Sequence, residues 1–167
     1  MLYLITLPFL IQSIVILIDE VFFHLKRGLP KWERVGHPLD TLTILICLGY
    51  VLCIPYSPFH LKIYCTLSVF SCIFVTKDEF IHKECCPSTE QWLHSFLFLN
   101  HPLLLTATGL IWPTLHGQAP NWLCNWLDNA YFLKLFLWIQ TGFAALFFLY
   151  QTIYWNFIWK EKKISPL

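Results

Sequence analysis

The sequence predicts an all-α, polytopic membrane protein with five transmembrane helices. Four of them are expected as two repeated helical hairpins forming a four-helix bundle, with a fifth helix added. Three observations lead there. The 167 residues are 57% hydrophobic and 18% aromatic. Charged residues make up 13%, against roughly 25% in soluble domains. Five stretches hold the roughly 20 mainly apolar residues that a helix needs to cross a hydrocarbon layer about 30 Å thick. The length excludes a multidomain enzyme, and a net charge of +1 gives no basis for nucleic-acid binding.

The first span covers about residues 2–25. Met1–Ile18 is apolar like a signal peptide, but it lacks a basic n-region and a small-residue cleavage site, so it reads as a retained helix. The second covers about 32–55 and ends at Ile54-Pro55, the third about 59–82, the fourth about 89–112 with its end at Trp112-Pro113, and the fifth about 130–159. Pro30 and Pro87 are expected in the first turns of helices two and four, where a missing N–H costs nothing. Short connections at 27–30, 55–58 and 85–88 should place consecutive helices antiparallel and adjacent. The segment 116–129 carries Trp122, Leu123, Trp126 and Leu127, the pattern of a short helix lying in the interface. Residues 160–167 form a basic tail.

Charge sets the orientation. Lys26, Arg27, Lys31, Arg34, Lys77, Lys83, Lys160, Lys162 and Lys163 all fall on the side shared by the first and third connections and the C-terminus. Only Lys62 and Lys134 fall opposite. The positive-inside rule then gives N-terminus out and C-terminus in, as expected of a bacterial inner-membrane protein. Seven cysteines show no CxxC pair and read as small apolar fillers; Cys85-Cys86 would face a reducing cytosol.

The few acids are concentrated. Residues 19–40 and 77–90 hold eight of the ten, and the two windows resemble one another. The first reads Asp19-Glu20 with His24, then Glu33 with His37 and Pro38. The second reads Asp78-Glu79 with His82, then Glu90 with His94, followed by His101-Pro102. Each window joins the end of one helix to the start of the next, so residues 2–55 and 59–112 look like two copies of a hairpin. Residues three and four apart share a helical face. Four helices would therefore each present one carboxylate and one imidazole near the cytosolic rim: Glu20 and His24, Glu33 and His37, Glu79 and His82, Glu90 and His94. Asp40 and His101 lie one and two turns deeper, where a charge costs on the order of 2.5–3.5 kcal/mol. His60 and His116 fall at the outer helix ends.

One such pair is an ordinary solvated helix end. Four at matched depth point to metal. Carboxylates with imidazoles and no thiolate favour iron or manganese, with zinc possible. Four glutamates would nearly neutralise two divalent ions. The spacings resemble those of ferritin-like di-iron carboxylate proteins, over these ligands alone. They depart from the histidine boxes of membrane desaturases, since neither HxxxH nor HxxHH occurs. The expectation is a di-metal oxidoreductase acting on a lipid, quinone or other apolar substrate, served by an electron donor. Asp40 and His101 would be its catalytic, substrate-side groups. A metal or proton carrier, a b-type haem protein and a small structural subunit of a membrane complex are the alternatives. A carrier should show polar groups past the midplane, and haem has no use for a glutamate beside each histidine.

Overall fold

The computed structural model describes residues 2–78, 86–127 and 129–159, and these are helical with no strand among them. Helix α1 (Leu2–Asp19) runs without a break through a π-helical turn (Glu20–His24) into a last α-helical turn (Leu25–Arg27). It stops at Gly28, whose φ of +77° is in the left-handed region and where a Cβ would collide with the Trp159 indole. Helix α2 spans Lys31–Cys53, and α3 spans Pro58–Val75 followed by a 3-10 turn over Thr76–Asp78. Helix α4 spans Ser88–Leu115, α5 is the short Asn121–Trp126, and α6 (Ala130–Ile153) ends in a second π-helical turn, Tyr154–Ile158. Five of these helices are long and apolar enough to cross a membrane. Side chains such as Leu10, Ile14, Leu17, Phe143 and Leu146 stay exposed on them, as lipid-facing residues do.

Helix ends refine the expected boundaries. Pro30 and Pro87 are N-caps rather than first-turn residues, and their carbonyls accept from Arg34 and Gln91 at 3.1 Å each. Helix α4 runs through Pro113 to Leu115. Its stop is Gly117, at φ +65°, where Gly117 N–H donates to Thr114 O and Gln118 N–H to Pro113 O. That is the paired closure of a left-handed C-terminal cap, and the proline merely removes one bond upstream. The short helix expected in 116–129 is α5, with Leu123 and Leu127 buried and Trp122 and Trp126 exposed.

Helix α1 packs chiefly against α4, while α2 packs against α6 and α3. The first two spans, despite their short connection, are thus not each other's main neighbours. The last span is no appendage to a four-helix unit but the principal partner of the second. Prolines assist this docking: Pro38 cannot donate to Arg34 O, and Asn156 Nδ2 of the last span donates to that carbonyl at 3.1 Å instead. Pro8 O, at the other side of the bundle, accepts from Asn100 Nδ2 at 2.8 Å.

The interior divides by depth. One half holds the apolar core, built from residues such as Phe9, Leu48, Val51, Leu105, Ile111, Trp112, Leu133 and Leu137. The other half, where α1 ends and α2 and α4 begin, buries Asp19, Glu20, His24, Glu33, Glu90 and His94.

Candidate metal centre

The π-helical turn decides which side chains meet. In an unbroken α-helix, residues five apart point about 140° away from each other. A π turn closes i→i+5 bonds, and it brings Asp19 onto the face of His24. Asp19 Oδ2 then lies 3.1 Å from His24 Nε2 and 3.0 Å from Nε2 of His94 on α4. Glu90 Oε1, also on α4, is 3.7 Å from His24 Nε2. Asp19, His24, Glu90 and His94 are all buried, and one donor atom from each lies within 4.8 Å of the others. Donors about 2.1 Å from a common ion sit about 3–4 Å apart, so small side-chain adjustments suffice. These four residues could hold a metal ion.

The proton on His24 sharpens this. Its Nδ1 bonds Glu20 Oε2 at 3.1 Å, and an ionised carboxylate can only accept, so Nδ1 carries the hydrogen. In the neutral ring Nε2 is then a bare lone pair. It makes no hydrogen bond among the described residues, yet it faces the oxygens of Asp19 and Glu90. A nitrogen set among two carboxylates is met either by a cation between them or by its own proton, and in both cases the three groups converge on one point. Glu20 itself is occupied: its Oε1 accepts from Tyr150 Oη at 2.6 Å and from Trp155 Nε1 at 3.0 Å, both on the last span. It orients the histidine rather than facing the ion, the arrangement in which a carboxylate fixes a ligand's tautomer and raises its basicity.

Glu33 and Glu90 are wholly buried, and Arg27 joins them. Its Nη2 lies 2.9 Å from Glu33 Oε2 and 2.6 Å from Glu90 Oε1, with Nε 3.3 Å from Glu90 Oε2. His37 completes a second group with His24 and Glu33; its Nε2 is 4.0 Å from Glu33 Oε2, and its ring centre is 4.9 Å from that of His24. Arg27 Nη2 also reaches Cys86 Sγ at 3.4 Å. Burial pushes that thiol up to about 12.

Comparison with protein-family models, with curated proteins and with solved structures finds no match. The reading of the site therefore rests on its own chemistry.

A chamber of about 80 Å³ adjoins the cluster, lined by His24, His37, His94, Asp40 and His101 among others. Asp40 is paired with Lys77 at 2.6 Å. His101 ends a directed chain. Thr43 donates to Asp40 O at 2.8 Å, so Ser71 must donate to Thr43 (2.7 Å) and His101 Nε2 to Ser71 (2.9 Å). That leaves His101 Nδ1 as an acceptor.

Six of the eight expected ligands are thus brought together: Glu20, His24, Glu33, His37, Glu90 and His94. Glu79 and His82 lie outside the described residues, and so does the part of the second window that would complete the repeat. Asp19 is the residue that helical spacing missed. The available signal was the Asp-Glu doublet at 19–20, repeated at 78–79. Nothing in the sequence tied Tyr150, Trp155, Thr43 or Ser71 to the cluster. His60 and His116 bond the carbonyls of Pro55 and Val51, both at 3.0 Å, at the far end.

Proposed function

We propose that this chain is a membrane-embedded metalloenzyme that oxidises an apolar molecule, its ion held by Asp19, His24, Glu90 and His94. The observation that carries the reading is the convergence of buried donor atoms, with His24 Nε2 lying 3.1 Å from Asp19 Oδ2 and 3.7 Å from Glu90 Oε1, beside a chamber inside the membrane. Two imidazoles and two carboxylates suit iron or manganese ahead of zinc. Histidine-carboxylate sites with open positions are where non-haem iron oxygenases work. One ion is favoured over two, because both ligand groups share His24, and Arg27 already spans Glu33 and Glu90. When bound, such an ion supplies reduction of dioxygen, with electrons from a separate donor. The chain's own residues bury the ligands away from water, hold His24 through Glu20, and keep His101, tied to Ser71 through Nε2, in the chamber wall. On the charge bias of the sequence, the centre faces the cytosol of a bacterial inner membrane.

A carrier fits less well. Past Asp40 and His101 the interior is the apolar core, with no further acid or imidazole buried in it among the described residues. Haem fits less well too, since a chamber of about 80 Å³ has no room for a macrocycle.

The test is dioxygen uptake by the purified, iron-loaded protein with a chemical reductant, in phospholipid vesicles that also carry a quinone and long-chain alcohols as candidate apolar molecules, read together with mass spectrometry of everything extracted from the vesicles. Uptake coupled to an oxidised product, and lost in His24→Ala, is expected. Equal uptake by His24→Ala, or no oxidised product, overturns the reading.

A further inference from the structure

The small chamber does not stand alone. An apolar groove of about 560 Å³ runs along α1 and α6, and it shares Gln12, Ile16, Thr41, Ile44 and Phe147 with the chamber wall. Its rim is open to the lipid: Leu10, Ile14, Leu17, Phe143 and Leu146 line it and are exposed. The polar groups within it are already bonded. Asn100 Nδ2 donates to Gln12, Thr41 Oγ1 bonds Gln151, Ser13 Oγ lies 3.4 Å from Gln140, and Tyr150 donates to Glu20. The groove therefore offers hydrocarbon surface to whatever fills it.

Its direction matters. From the cluster at Asp19 the groove descends past Leu17 and Ser13 to Phe9, Leu48 and Leu104, where the apolar core begins. Ten residues of helix at about 1.5 Å each make that about 15 Å toward the middle of the membrane. An amphiphile lying in it would have its chain in the hydrocarbon and its head in the chamber. The chamber also restricts the head. Its volume of about 80 Å³ is too small for a phosphate headgroup, and among the described residues no Lys or Arg lines it to receive an anion.

We infer that the groove between α1 and α6 is a lateral entry and binding site for a single-chain amphiphile with a small uncharged head, a long-chain alcohol or aldehyde, delivered from the bilayer to the metal centre. This names the substrate class of the proposed enzyme and so rests on that reading, while the site itself can be probed without turnover. His101 Nδ1 supplies the acceptor for a hydroxyl head.

The experiment photolabels the full chain in phosphatidylcholine vesicles with hexadecanol carrying a mid-chain diazirine, and maps adducts by mass spectrometry. Adducts should concentrate in residues 9–17 and 140–147 and fall about tenfold in Ala144→Trp, because a bulky side chain in an occupied volume is not accommodated. Ser13→Phe, from the opposite wall, should do the same and guards against a folding defect in the first variant. Unlabelled hexadecanol should compete and hexadecyl phosphate should not. Adducts spread evenly over the lipid-facing helices, no drop in either variant, or equal competition by the phosphate would overturn the inference. Metal content of the same samples reads the metal claim separately: loss of the ion with the adduct map intact counts against the enzyme reading alone.

Discussion

Asp19 and Glu20 are adjacent acids with different positions at the centre, and substitution should separate them. Asp19 faces the nitrogens of His24 and His94, whereas Glu20 is held by Tyr150, Trp155 and His24 Nδ1. Asp19→Asn is expected to abolish metal occupancy. Glu20→Gln is expected to leave the site assembled but to weaken metal affinity about 10–100-fold, the usual effect of losing a ligand's supporting carboxylate; metal titration of the two purified variants distinguishes them. Asp40→Asn, whose carboxylate is turned to Lys77, should keep the ion. Arg27 makes the other residue-scale test. Arg27→Met leaves Glu33 and Glu90 buried together without their cation, and removing one partner of a buried ion pair costs about 3–5 kcal/mol. Unfolding in detergent should show that loss in metal-free protein and its partial recovery on adding a divalent ion. The histidines and glutamates were legible in the sequence because charge is so scarce that each one stands out. Arg27's span of two glutamates, and the approach of His24 to Asp19 and Glu90, are facts of three-dimensional packing that no spacing encodes.

At the scale of the element, the π-helical turn over Glu20–His24 is what turns a sequence of ligands into a site. Helical spacing correctly paired Glu20 with His24 and Glu33 with His37, and it missed Asp19 because it assumed 3.6 residues per turn throughout. The extra residue can be removed. Val21 is half exposed and is not one of the ligands described above; deleting it should restore an α-helical turn with Asp19 and His24 four residues apart and still on one face. The expected result is an ion still held with helicity by circular dichroism unchanged, as in Val21→Ala, whereas an alanine inserted after Val21 turns Asp19 and everything before it by about 100° relative to His24 and should lose the ion. The starts of α2 and α4 were legible from proline, and the five spans from hydropathy. The end of α4 was not, because Pro113 is the louder signal while Gly117, in the left-handed region, makes the cap.

Across the whole molecule, the bundle separates what holds it together from what it holds. The apolar half, centred on residues such as Leu133, Leu137, Val51 and Ile111, packs five helices; the polar half spends that rigidity on keeping acids and imidazoles buried. The two should respond independently. Leu137→Ala, at a fully buried position, is expected to cost about 2–5 kcal/mol through the cavity it leaves, read by unfolding in detergent, with metal stoichiometry unchanged. Five helices long and apolar enough to cross a membrane were legible from how apolar residues are distributed along the chain. The neighbour relations were not: α1 lies on α4 and α2 on α6, an arrangement set by side-chain fit and by bonds such as Asn156 to Arg34 O, which short connections between consecutive helices do not reveal. The most direct test of the account is metal content per chain, measured on protein purified without added metal, for the parent and for His24→Ala and Glu90→Ala. The account expects one equivalent of iron or manganese in the parent and little in either variant; a parent without stoichiometric transition metal, or full occupancy in both variants, would contradict it.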